Sequence, residues 1–139
     1  VGYFDDGDYL SIQIFFIRSS KIVERHSKII PLIDDIQNEV TRYIAKFYQK
    51  LLLPKEILVP DIVDNEILTE FLNIPVKKPI KGIKKKLVDM ANNNAKVSLE
   101  EKIMLIKQNE ETISKLLLIN EKKYFYIILE NYNRYRKNL

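Results

Sequence analysis

Cysteine is absent from the 139 residues, which excludes a disulfide framework, a thiolate metal site and a thiol nucleophile. Tryptophan is absent as well, and three glycines are too few for a glycine-rich phosphate loop. The one histidine, His26, accompanies no nucleophile pattern and reads as a strand residue rather than a catalytic base. No apolar run approaches the ~20 residues that span a bilayer, so no membrane partner is expected. The chain begins at Val1 without the basic-then-apolar pattern of a secretion signal. It therefore reads as a piece of a longer, cytoplasmic polypeptide.

What is present suits a folded domain. Hydrophobic residues make up 46% and charged residues 30%, enough for a core and a solvated surface. The net charge of +4 permits a nucleic-acid partner without requiring one.

Val1–Phe4 is a strand candidate, and Asp5-Asp6-Gly7-Asp8 is a turn signal. Tyr9–Ile17 is a second strand, Ser19-Ser20 a second turn, and Lys21–Ile30 a third strand, giving an antiparallel meander. Asp34 or Asp35 caps a helix over about Asp35–Leu52, with Ile36, Val40, Tyr43, Ile44, Phe47 and Leu51 at helical spacing. Glu56–Val59 is a buried-strand pattern, Asp64 caps a helix over Glu66–Leu72, and Ile74–Ile80 is an edge strand interrupted by Pro75 and Pro79. A helix starts near Ile83, is weakened at Asn92-Asn93-Asn94, restarts at the Ser98–Glu101 capping box, and breaks at Asn120.

The order β-β-β-α-β-α-β-α is that of an α/β, ribonuclease-H-like mixed sheet of about five strands. Three are antiparallel and two come from αβ units, with helices on the faces. The boundaries expected are a domain over 1–96 and a helical extension over 97–139. In such a sheet the second strand lies under helices on both sides, which accounts for the apolar run in QIFFIR (Gln13–Arg18).

Two clusters invite a chemical reading. A ribonuclease-H-type site needs several carboxylates converging on two metal ions, and Asp5, Asp6, Glu39 and Asp61 fall near the expected places. The first strand itself offers only Val1, Tyr3 and Phe4, so turn and cap roles fit these acids better. No catalytic residue, metal ligand or cofactor is assigned. The second cluster is Lys77, Lys78, Lys81, Lys84, Lys85 and Lys86, with no acid between them. Lys78, Lys81, Lys84 and Lys85 are the candidate DNA-binding residues, since clustered ammonium groups release counterions on meeting DNA. The competing reading is the solvated start of a helix. Tyr124, Phe125, Tyr132 and Tyr135 form an aromatic helical face suited to a core, a domain contact or a partner protein.

GYFDDGDYLSIQIFFIRSSKIVERHS (Gly2–Ser27) resembles the stretch of the UvrC family that reads as an acidic-Gly-Asp turn, a VQVFFIR strand, a Gly-Lys turn and a VGRR strand. Phe47-Tyr48 stands where that family has QFY, and PKEILVP (Pro54–Pro60) is similar to its PKEILLP. Asp64–Leu68 with Phe71-Leu72 resembles its D-x-E-x-L-x-x-W-L helix. Lys78–Lys85 resembles its VPQRGEKR loop, and Asn94-Ala95 with Leu99–Lys102 its NA-x-x-L-E-E-K helix. The likeness covers about Gly2–Lys102. Departures occur at Ser20 (Gly in the family), Glu24-Arg25-His26 (Gly-Arg-Arg) and Ile83 (acidic).

UvrC is the incision subunit of bacterial nucleotide excision repair. The family's GIY-YIG motif and the Asp-Ile-Ser-His strand of its C-terminal nuclease do not occur here. The resemblance implies the region just ahead of that nuclease, a non-catalytic domain with DNA and a UvrB-like protein as partners. Docking of a repair partner through the C-terminal helices is the alternative, and an independent metal nuclease a third reading.

Overall fold

A computed structural model of the chain describes residues 1–137, apart from the side chains of residues 121 and 124–126. The chain divides into two units, Val1–Glu101 and the stretch from Lys102 onward.

The first unit begins with a meander of β1 (Gly2–Asp5), β2 (Tyr9–Arg18) and β3 (Lys21–Pro31). β2 is central and antiparallel to both neighbours, with Tyr3 opposite Ile12 and Ile14 opposite His26. α1 (Ile36–Gln49) follows, then β4 (Ile57–Leu58), α2 (Asn65–Leu72), β5 (Val76–Lys77) and α3, which starts at Gly82. β4 and β5 pair in parallel. The two ladders are linked where the Val1 nitrogen donates to the Leu58 carbonyl at 2.8 Å, which brings the start of β1 to β4. The mixed α/β, ribonuclease-H-like architecture read from the element order is thus observed, as three antiparallel strands and a two-strand parallel ladder.

Alternation along β2 sends its residues to two covered faces. Leu10, Ile12 and Ile14 are fully buried among Val40, Ile44 and Tyr48 of α1, with Leu68 and Leu72 of α2 in the same core. Each such aliphatic side chain contributes about 1.5–3 kcal/mol on burial. Ser11 and Gln13 point the other way and are buried too. Val88, Ala91, Ala95 and Leu99, at helical spacing on α3, are the buried residues of that side. Gly2 lies on the same face because it pairs with Gln13. A Cβ at Gly2 would come within 2.3 Å of the Ala91 carbonyl carbon and the Asn92 nitrogen, so glycine is what lets α3 lie directly on β1. β2 is therefore buried on both faces over Leu10–Ile14, but the rest of the QIFFIR run is covered less than the sequence predicts: Phe15 and Phe16 are half-buried, and Ile17 and Arg18 are exposed beyond the reach of the helices.

Three local expectations are corrected. α1 ends at Gln49 rather than Leu52, and Leu51 to Leu53 are exposed; Asp35 is its cap, accepting from the Asn38 amide at 3.0 Å. β5 keeps only two of the residues expected over Ile74–Ile80, because prolines at both ends remove ladder donors. Neither the weakening at Asn92–Asn94 nor the break at Asn120 interrupts α3, which runs over Gly82–Lys137. Asn92 and Ser98 have jobs in the fold: the Asn92 Oδ1 accepts from the Tyr3 amide at 2.8 Å, and Ser98 Oγ accepts from Gln13 at 3.2 Å. Those bonds offset the propensity cost of well under ~1 kcal/mol per polar residue.

The second unit is the helix beyond Lys102. Met104, Leu105, Ile113, Leu116 and Leu117 are exposed along it, as are Tyr132 and Tyr135. Of the aromatic face expected there, the Tyr124 and Phe125 side chains lie outside the described residues.

Candidate nucleic-acid interface

The lysine run begins at the end of β5 and crosses the turn at Gly82 into α3. Gly82 has φ +81°, a left-handed angle that suits glycine at this bend. Lys81 and Lys84 are exposed, while Lys78 and Lys85 are partly covered. A cluster of cations at a helix start opposes the helix dipole, so the site favours an anion in compensation.

Part of that compensation is internal. Glu56, just ahead of β4, meets Lys84 Nζ at 2.6 Å and Lys77 Nζ at 3.2 Å. The hydrogen bonds from Lys84 and then Lys77 hold its carboxyl below the usual glutamate range. Lys85 pairs with Asp89 one turn on, at 3.2 Å. Among the described residues Lys78 and Lys81 make no ion pair. Of the four candidate DNA-binding lysines, Lys78 and Lys81 therefore have no acid partner among the described residues, and two carry one. The run looks acid-free along the sequence because Glu56 is 28 residues from Lys84 and joins it only through the fold.

Three of the four acids considered for metal chemistry, Asp5, Asp6 and Glu39, serve turns and a helix start. The Asp6 carboxylate accepts from the amides of Asp8 (2.9 Å) and Tyr9 (2.7 Å), and Asp5 accepts from Gly7 (3.1 Å). Glu39 accepts from the Asp34 amide at the start of α1. Asp5 and Asp61 do approach one spot, the Tyr3 phenol, which burial and then the two carboxylates push above its ordinary pKa. That spot opens on a shallow cleft of about 470 Å³ lined by Tyr3, Phe4, Asp5, Asn92, Asn93 and Lys96. Asp5 is the one carboxylate in that lining, and no metal-binding cluster occurs among the described residues. Lys84 and Lys96 are twelve residues apart on α3, so the lysine run lies about 18 Å along the helix from this cleft.

His26 is a half-buried strand residue of β3. Its ring lies 4.7 Å from the Phe47 centroid, and Nε2 is 2.6 Å from the Tyr43 hydroxyl. It ties the edge strand to α1.

A family model described as the UvrC ribonuclease H-like domain matches residues 1–102. The chain belongs to the UvrC family. The UvrABC system protein C of Pediococcus pentosaceus is 44% identical over 110 residues, which is 78% of this chain and 18% of that protein. The protein of the same name from Levilactobacillus brevis is 41% identical over the same shares. That from Lactobacillus johnsonii is 44% identical over 109 residues, 76% of this chain. The matched stretch is thus less than a fifth of the length of these relatives. No solved structure matches the chain. The UvrC match ends at residue 102, one residue beyond the last of the first structural unit.

Proposed function

We propose that the Val1–Glu101 unit is a non-catalytic domain of a UvrC-type excision-repair subunit, holding duplex DNA without regard to sequence and helping to place an adjacent nuclease. The observation that carries this reading is the exposed lysine run at the start of α3 in a UvrC-family fold whose acids serve turns and caps. Lys78 and Lys81 meet phosphates directly. Lys84 and Lys85 exchange Glu56 and Asp89 for phosphate when DNA arrives. Ammonium groups act here as point charges, so the contact is to backbone rather than base.

Fluorescence anisotropy with a labelled duplex across a salt series tests this. Changing Lys78, Lys81, Lys84 and Lys85 to Ala should make the slope of log K against log salt shallower by about two to three, since each displaced phosphate counterion contributes about 0.9. An unchanged slope would remove the lysine run from the interface.

A second reading, docking of a UvrB-like repair partner, is favoured by the exposed apolar residues Ile113, Leu116 and Leu117 of the second unit. Retained partner binding after Leu116→Ser and Leu117→Ser would dismiss it.

A further inference from the structure

The β2–β3 hairpin carries a second concentration of positive charge, from the turn back past the middle of β3. Arg18, Lys21, Arg25 and Lys28 lie within eleven residues, against one carboxylate, Glu24. All five are exposed. None of them takes part in an ion pair among the described residues, unlike Lys77, Lys84 and Lys85.

The hairpin is set in shape before any ligand meets it. Ser19 (φ 50°) and Ser20 (φ 61°) both adopt left-handed angles, the arrangement of a two-residue turn whose twist matches the strands. Such angles cost a non-glycine residue roughly 1–2 kcal/mol, so the ladder on either side imposes the turn. Arg18 pairs with Lys21 and Ile17 with Ile22 directly beside it. A bulge between Phe16 and Ile17 sharpens the local twist. Arg25 lies opposite Phe15, its guanidinium carbon 5.4 Å from the ring centroid. That cation–π contact steadies the exposed guanidinium and lowers the entropy lost when it grips a phosphate.

The charges lie on both faces of the ribbon. Glu24 pairs with Phe16 and Lys28 with Ile12, whereas Arg25 pairs with Phe15, so Arg25 lies on one face of the ribbon and Lys28 on the other, with the acid. β3 is the outer strand of the sheet, which leaves its far side open. A two-stranded ribbon fits the major groove, roughly 12 Å wide, with phosphates on either side.

We propose that the β2–β3 ribbon is a second DNA contact, gripping duplex phosphates through Arg18, Lys21, Arg25 and Lys28. This rests on the reading that the domain holds DNA, and it moves part of the grip from the lysine run, partly neutralised by Glu56 and Asp89, to cations with no internal acid. Charges on an edge strand also discourage strand-to-strand association, and the experiment separates the two roles.

Anisotropy is measured for the wild-type chain, the lysine-run variant, and a ribbon variant with Arg18, Lys21, Arg25 and Lys28 changed to Gln. A pair variant, Arg18→Gln with Lys21→Gln beside the exposed turn, serves if the quadruple change disturbs folding. Arg25→Lys keeps the charge. The ribbon variant should lose about three from the salt slope and roughly tenfold or more in affinity near physiological salt. The pair variant should lose about half as much slope, and Arg25→Lys should retain the wild-type slope. Wild-type slope and affinity in the ribbon and pair variants would overturn the ribbon contact while leaving the lysine run standing. Unchanged DNA binding with new self-association on sedimentation would overturn it as well, assigning the charges to edge protection. No binding by the wild-type chain at any salt would overturn both.

Discussion

Tyr48 lies in the last turn of α1 with its ring edge-on to Phe47, 5.1 Å between centroids. Burial pushes its phenol up to about 12. An unfolded tyrosine titrates near 10, so the folded state holds this proton to higher pH. Its contribution to stability is whole below about pH 10 and is lost as pH climbs from about 10 to 12, at most about 3 kcal/mol. Tyr3 and Tyr43 shift in the same direction through burial, but they are more exposed. Denaturant melts of the wild type and Tyr48→Phe between pH 9 and about 12 should diverge, with the variant flatter. Parallel curves would assign the alkaline loss to other groups. At this scale, local roles were legible and distant ones were not. Asp64 could be named as a cap, and the first cap narrowed to Asp34 or Asp35, because an N-cap acts within three residues of itself. Glu56 and Asn92 could not be paired with Lys84 and Tyr3, because both bonds join segments far apart in sequence.

Among the elements, the contact between α3 and the outer face of the sheet is the most sharply determined. It rests on small residues: Gly2 on β1, and Ala91 and Ala95 on α3. Gly2→Ala should destabilise the chain by about 1–3 kcal/mol, the usual cost of overpacking against a rigid neighbour. Here the neighbours at 2.3 Å are backbone atoms, which give way less easily than side-chain ends. A lowered urea midpoint would show it; an unchanged midpoint would mean that α3 shifts freely on the sheet. The meander and α1 could be read from alternation and helical spacing because each buries a regular face. The Asn92–Asn94 stretch could not, since its low helix propensity is outweighed by contacts that only the folded sheet supplies. The short β4 and β5 were legible as apolar segments, but their two-residue extent depends on where prolines remove ladder donors.

For the whole molecule, element order was enough to give the ribonuclease-H-like class, because three hairpin-linked strands followed by two αβ units leave few ways to close a sheet. The family was legible in the segments spread over β1 to α3, and the match over residues 1–102 bears it out. The electrostatic surface was legible only in part. Charge runs show in sequence, but which charges meet an internal partner is decided by the fold. Lys84 and Lys85 do, whereas Arg18, Lys21 and Arg25 do not, among the described residues. The function proposed here is to hold DNA without cutting it, and one measurement tests both halves. An end-labelled duplex is incubated with the chain and Mg²⁺ or Mn²⁺ at low salt, and native and denaturing gels are run from the same tube. The expected result is a retarded duplex that remains intact. A duplex that runs free on the native gel, or one cleaved in a metal-dependent way that Asp5→Asn or Asp61→Asn abolishes, would contradict it.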